Sequence, residues 1–195
     1  MSDLEIFAAL RRVAETFDRL GIGYYVGGSL ASSLYGVPRA TNDADVIAAI
    51  GEKDARAVSE ALAPDFYVDE DMILDAIRRQ GMFNVIHQET ALKIDVYVLK
   101  PDAWHQEAFA RRRQDSIEDG ARQFSFGTAE DILLYKLVWF RMGGGVSERQ
   151  WSDVLGVLRV QRDALDREYL DRWASVLEVA DLLTRARVEA RTTSP

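Results

Sequence analysis

Hydrophobic positions recur at spacings of three and four over residues 4–20, where Leu4, Phe7, Leu10, Val13, Phe17 and Leu20 are separated by charged side chains. That period predicts an amphipathic helix. Gly21 and Gly23 end it. A short apolar run at 24–26 predicts a strand that breaks at Gly27, Gly28 and Ser29. A helix of small residues follows to about Tyr35, and its Ala31, Ser32 and Ser33 allow close packing. A loop then carries Gly36, Pro38, Arg39 and Thr41. Residues 44–50 form the next predicted strand, entered through Asp43. A helix over 52–62 has the apolar stripe Ala55, Val58, Ala61 and Leu62, and Pro64 closes it. A short strand at 66–68 and a helix at 70–80 come next. Strands at 83–87 and 91–99 read as a pair joined by the hairpin loop Gln88, Glu89 and Thr90.

The second strand of this pair alternates cleanly. Leu92, Ile94, Val96 and Val98 line one face, and Lys93, Asp95 and Tyr97 line the other. Such alternation places Asp95 on the exposed or site-facing side of a half-buried strand. A helix over 101–113 ends in Arg111, Arg112 and Arg113, where cations suit the helix dipole. A last strand is predicted at 122–126. Thr128, with Asp131 three residues on, caps a helix at 129–142 that is apolar almost all round. Gly143, Gly144 and Gly145 interrupt the chain. Ser147 and Gln150 then open a helix through about Val160, and two more follow at 166–177 and 178–190. The expected architecture is α/β (α+β): a mixed sheet with flanking helices over residues 1–127, then a C-terminal helical bundle, 128–195, packed on it.

Composition narrows the function classes. With 195 residues and 48% hydrophobic content, the chain can bury a core. Twenty-four basic against 32 acidic residues give a net charge of −8. That balance argues against an extended nucleic-acid-binding surface, which needs a basic stripe. There are no cysteines, so disulfides, zinc-thiolate sites and thiol nucleophiles are excluded. Two histidines, His87 and His105, are too few for a His-rich metal site. The N-terminus lacks a basic-then-apolar signal pattern, and no apolar run approaches the roughly 20 residues that span a bilayer. A cytoplasmic protein with no membrane partner is expected.

The chemistry concentrates between residues 24 and 50. Gly27 and Gly28 let backbone approach a ligand closely, and the first amides of a helix attract an anion, with the Ser29 hydroxyl beside them. Asp43 and Asp45 are two apart on a strand and share a face. Paired carboxylates of this kind favour a cation between them, and Mg²⁺ takes hard oxygen ligands and shares them with phosphates. Arg39 and Thr41 are placed to touch phosphate or to order the loop. Lys136 lies on an apolar helical stripe with Ile132, Leu133, Trp139 and Phe140, a costly position unless it snorkels or meets an anion. Asp153 shares a helical face with Arg149 and Gln150 and equally fits an ordinary solvated ion pair.

Taken together, Gly28, Ser29, Asp43, Asp45 and Asp95 resemble the signature of the DNA polymerase β-like nucleotidyltransferase superfamily. There a Gly-Ser turn and helix precede a strand with two aspartates, and a third acid sits on a neighbouring strand. The run from Gly36 to Asp43 is similar to stand-alone bacterial members, and in particular to the abortive-infection-type (type IV toxin-like) nucleotidyltransferases. In that subgroup a lysine on a helix after the sheet and an acid on the next helix complete the site. Lys136 and Asp153 occupy the matching places.

The resemblance implies a metal-dependent transfer of a nucleoside monophosphate from an NTP such as ATP to a hydroxyl acceptor, with release of pyrophosphate. It implies Asp43, Asp45 and Asp95 as ligands of two Mg²⁺ ions, with Mn²⁺ as a substitute. Asp95 doubles as general base. Gly27, Gly28, Ser29, Arg39, Thr41 and Lys136 would bind the nucleotide, and Lys136 and Asp153 would join the three aspartates as catalytic residues. The acceptor implied by the subgroup is tRNA or protein, in a toxin paired with a cognate antitoxin. A small-molecule acceptor of aminoglycoside type stays open, as does a non-catalytic nucleotide- or partner-binding module of the same fold. A nucleotide-sugar glycosyltransferase would need a larger sugar-binding region than this chain offers.

Overall fold

The computed structural model describes residues 3–116 and 123–192. The chain forms two compact units. One comprises Met1–Gly27 and Ala40–Phe126, and the other Gly28–Arg39 and Gly127–Pro195.

The first unit carries the sheet. Helix α1 (Asp3–Leu20) leads to strand β1 (Tyr24–Val26). Strand β2 (Asp43–Ala48) is followed by a 3-10 turn and helix α3 (Ala55–Leu62). Strand β3 (Phe66–Tyr67), helix α4 (Glu70–Arg78), and strands β4 (Met82–His87) and β5 (Lys93–Val98) come next. Helix α5 (Ala103–Arg111) precedes strands β6 (Arg113–Asp115) and β7 (Phe124–Phe126). Among the described residues the strands form one sheet in the order β3-β4-β5-β2-β1-β7-β6. The sheet is mixed: β2 runs parallel to β5 and β1 parallel to β7, and the other pairs are antiparallel. All three residues of β1 are buried, as a central strand requires. The apolar stripe of α1 supplies Ile6, Leu10, Val13 and Phe17 to the core, and α1 packs on α3, which packs on α4.

The second unit is helical. Helix α2 (Gly28–Tyr35) packs on α6 (Ala129–Met142) and α7 (Glu148–Gln161), while α8 (Arg167–Val176) and α9 (Ala180–Thr192) cover α6 and α7. The capping residues read from the sequence are in place. Thr128 accepts from the Asp131 amide and Ser147 from the Gln150 amide. Asp131 is fully buried and satisfied: Thr128 Oγ1 donates to it at 2.6 Å and the Tyr169 hydroxyl at 2.5 Å. Helix α6 is buried along most of its length, but Trp139 and Met142 on its last turns are exposed.

Two expected elements change. The helix predicted over 101–113 stops at Arg111, because Arg112 turns extended and Arg113 starts β6, an edge strand paired with β7. The final strand predicted over 122–126 is seen as Phe124–Phe126, and Arg122 lies outside the described residues.

Candidate active site

In the first unit, Asp43 and Asp45 sit on β2 at alternate positions, with buried Ala44 and Val46 pointing the other way. Register with β5 sets the rest. Asp45 stands directly across from Asp95, and Asp43 directly across from Lys93. In-register residues of neighbouring strands share a face, about 4.8 Å apart. The four side chains therefore occupy the corners of a quadrilateral: three acids and one lysine. Asp95 is 6% exposed. Its Oδ2 lies 2.9 Å from Lys93 Nζ, and Asn84 of β4, its register partner, donates to Oδ1. Thr41 Oγ1 donates to Asp43 Oδ1 at 2.8 Å, which orients that carboxylate.

Negative potential collects on this face. The hydrogen bond to Asp95 and the charges of Asp95, Asp43 and Asp45 push the Lys93 ammonium above its ordinary value, against the opposing effect of burial. Burial, reinforced by Asp45, Asp95 and Asp43, pushes the Tyr97 hydroxyl up. Among the described residues no group of three His, Cys, Asp or Glu side chains is arranged to hold a metal ion. The face offers carboxylate oxygens, the hard donors that Mg²⁺ takes, and the Lys93 ammonium pairs with one of them on Asp95.

The second unit holds the cationic cluster. Gly28 opens α2 with a φ of +54°, a conformation that favours glycine. The Arg39 side chain reaches Asp153 and Ser29. Its Nε donates to Asp153 Oδ1 at 2.8 Å, and its second terminal nitrogen donates to Asp153 Oδ2 at 2.9 Å and to Ser29 Oγ at 2.5 Å. The Arg39 amide is held by Ser33 Oγ at 3.3 Å. Lys136 Nζ lies 2.7 Å from Asp153 Oδ2, and both side chains are 5% exposed. The anion that Lys136 requires on its apolar stripe is thus Asp153. Burial pushes the Asp153 carboxyl up, but the hydrogen bonds from Arg39 and Lys136 outweigh it and hold it below the usual carboxylate range. Two cations thus share the Asp153 carboxylate, and one of them also reaches Ser29 on the first turn of α2.

Of the sequence-predicted residues, the structure brings Thr41, Asp43, Asp45 and Asp95 together in one cluster, and Gly28, Ser29, Arg39, Lys136 and Asp153 in the other. Asp153 is buried in its ion pairs and is not a solvated partner of Arg149. The Gly27 amide is spent within the sheet unit, donating to the Asp45 carbonyl at 2.9 Å. Sequence reasoning missed Asn84. Its signal was a lone amide between Phe83 and Val85, both of which are buried.

No family model and no curated protein matches the sequence. Solved structures do match the fold. An antigenic nucleotidyltransferase-like protein from Paracoccidioides brasiliensis aligns with a TM-score of 0.58 at 15% identity, over 96% of this chain and 94% of its own. The antibiotic-resistance factor ANT(2'')-Ia aligns with a TM-score of 0.53 at 14% identity, over 98% of both chains. The lincosamide antibiotic adenylyltransferase LnuA, bound to lincomycin, gives 0.52 at 14% identity over 80% of this chain and 96% of its own. The chain therefore has the fold of the nucleotidyltransferases.

Proposed function

We propose that the chain is a Mg²⁺-dependent nucleotidyltransferase that moves a nucleoside monophosphate from an NTP to a hydroxyl on a small acceptor and releases pyrophosphate. The observation that carries this reading is the acidic face of the sheet, where Asp43 and Asp45 share one strand and Asp95 stands in register with Asp45. Asp43 and Asp45, with Asp95 across from Asp45, form the face that would hold the metal, which when bound neutralises triphosphate charge and lowers the pKa of the attacking hydroxyl. A bond forms between the acceptor oxygen and the α-phosphorus, and the bond from that phosphorus to the bridging oxygen breaks. Pyrophosphate takes the electron pair, and Asp95 receives the hydroxyl proton as general base. Ser29, the first amides of α2 and Arg39 would bind the phosphates, with Asp153, itself paired with the buried Lys136, orienting Arg39. No covalent enzyme intermediate is needed, since positioning and charge supply the catalysis.

The net charge of −8 favours a neutral or cationic acceptor over a polyanion. Structures of this fold contain lincomycin in LnuA and adenylyl-2''-tobramycin in ANT(2'')-Ia, which is consistent with a small-molecule acceptor.

The test uses each α-³²P-labelled NTP with Mg²⁺ and a total cell extract as acceptor. An Asp43→Ala/Asp45→Ala double variant, shown to be folded by circular dichroism, is the control. Label in the small-molecule fraction with the wild type alone is the expected result. Label in RNA or protein would overturn the acceptor class, and equal labelling by wild type and variant would overturn the site.

A further inference from the structure

We infer that Lys93 is a positioning residue that serves as the built-in cation of the acidic face, so that the face takes one divalent ion, on Asp43 and Asp45, and not two. This rests on the reading of that face as the metal-binding part of the transferase. Three features converge on Lys93. It is the register partner of Asp43 and stands two residues before Asp95, so an acid flanks it both across the strands and along its own. Its ammonium lies 2.9 Å from Asp95 Oδ2, while Asn84 occupies Oδ1. Both oxygens of Asp95 therefore already have protein donors. Three carboxylates and one ammonium leave two negative charges, the complement of a single divalent ion.

The physical consequence concerns competition. A metal approaching Asp95 must displace an ammonium that already pairs with Oδ2 at 2.9 Å. The Lys93 hydrogen bond falls on Asp95, and its charge acts on Asp43 and Asp45 only at longer range. Nucleotidyl transfer with two ions uses one on the leaving-group side and one on the acceptor side. Here the Lys93 ammonium would supply the charge at Asp95 in place of the second ion. It also fixes the orientation of the Asp95 carboxylate, together with Asn84.

Mn²⁺ titration of the full chain, with free ion followed by electron paramagnetic resonance, tests the inference without reference to turnover. The wild type is expected to bind one Mn²⁺ per chain. Lys93→Met should raise the count to two, and Lys93→Arg should return it to one. Asp43→Asn should lose the ion bound by the wild type, which locates it on β2. A Lys93→Met count of one at unchanged affinity, with Asp43→Asn still losing the ion, would overturn the role of Lys93 and leave the metal-site reading standing. A wild-type count of two lost in Asp43→Asn would do the same. No binding by the wild type, or no effect of Asp43→Asn, would remove the metal site and this inference with it. If Lys93→Met fails to fold, Lys93→Gln carries the same expected count.

Discussion

Asp153 is the residue on which the cationic cluster depends. It is buried and accepts hydrogen bonds from both Arg39 and Lys136. Removing its carboxylate strands Lys136 among apolar neighbours. Asp153→Ala should therefore destabilise the protein by about 3–5 kcal/mol, the usual cost of breaking a buried ion pair, read by urea denaturation. Arg39→Ala should cost less, because Arg39 is partly exposed and Lys136 keeps its partner. The pH dependence has a definite sign. The folded-state pKa of Asp153 is depressed, so its stabilisation is present above the ordinary carboxylate value, about 3.9, and is lost as pH falls through the lower folded value. Denaturation midpoints should decline below about pH 4 in the wild type, with a shallower decline in Asp153→Asn. An equal decline in both would exclude Asp153 as a source of acid sensitivity. The sequence showed half of this arrangement. The apolar stripe around Lys136 demanded an anion, but Asp153 and Arg39 lie 114 residues apart, and no periodicity can pair residues so distant. The shared face of Asp43 and Asp45 was legible because strand alternation is a local property.

At the level of elements, the loop after α2 is fixed by close backbone packing against α7. A Cβ on Gly36 would lie 2.8 Å from the Val157 amide nitrogen, and one on Gly156 would lie 3.2 Å from the Val37 nitrogen. Gly156 is one turn beyond Asp153 on α7, and Gly36 is three residues before Arg39. The two glycines therefore set how Arg39 meets Asp153. Gly36→Ala has to shift backbone, and should cost about 1–3 kcal/mol as an overpacking change. It should also weaken NTP binding in an equilibrium titration, because it displaces Arg39. A Gly36→Ala variant with wild-type stability would show that the seam is not tight. Strand β6 shows why edges of sheets escape sequence reading. Arg113, Gln114 and Asp115 carry no hydrophobic alternation, and a charged, three-residue edge strand is recognisable only through its pairing with β7. The long periodic helices α1, α6 and α7 were legible for the opposite reason.

On the scale of the whole molecule, compact units and linear order divide the chain differently. Residues 28–39 belong with the helices of 127–195, because α2 packs on α6 and α7. Linear reading assigned α2 to the sheet region, where its neighbours in sequence lie. Only tertiary packing reveals its partners. Net charge also acts on this scale. At −8 the protein repels polyanions, and adding tRNA to the transfer reaction at low salt should neither compete for label nor accept it. The central claim is that the acidic face directs attack to the α-phosphorus. The most direct measurement follows α-³²P and γ-³²P label of the same NTP in parallel reactions with Mg²⁺. The account predicts α-label on the acceptor, γ-label recovered as pyrophosphate, and neither change with Asp43→Ala/Asp45→Ala. Transfer of the γ-label to the acceptor would mean phosphoryl transfer and would contradict it.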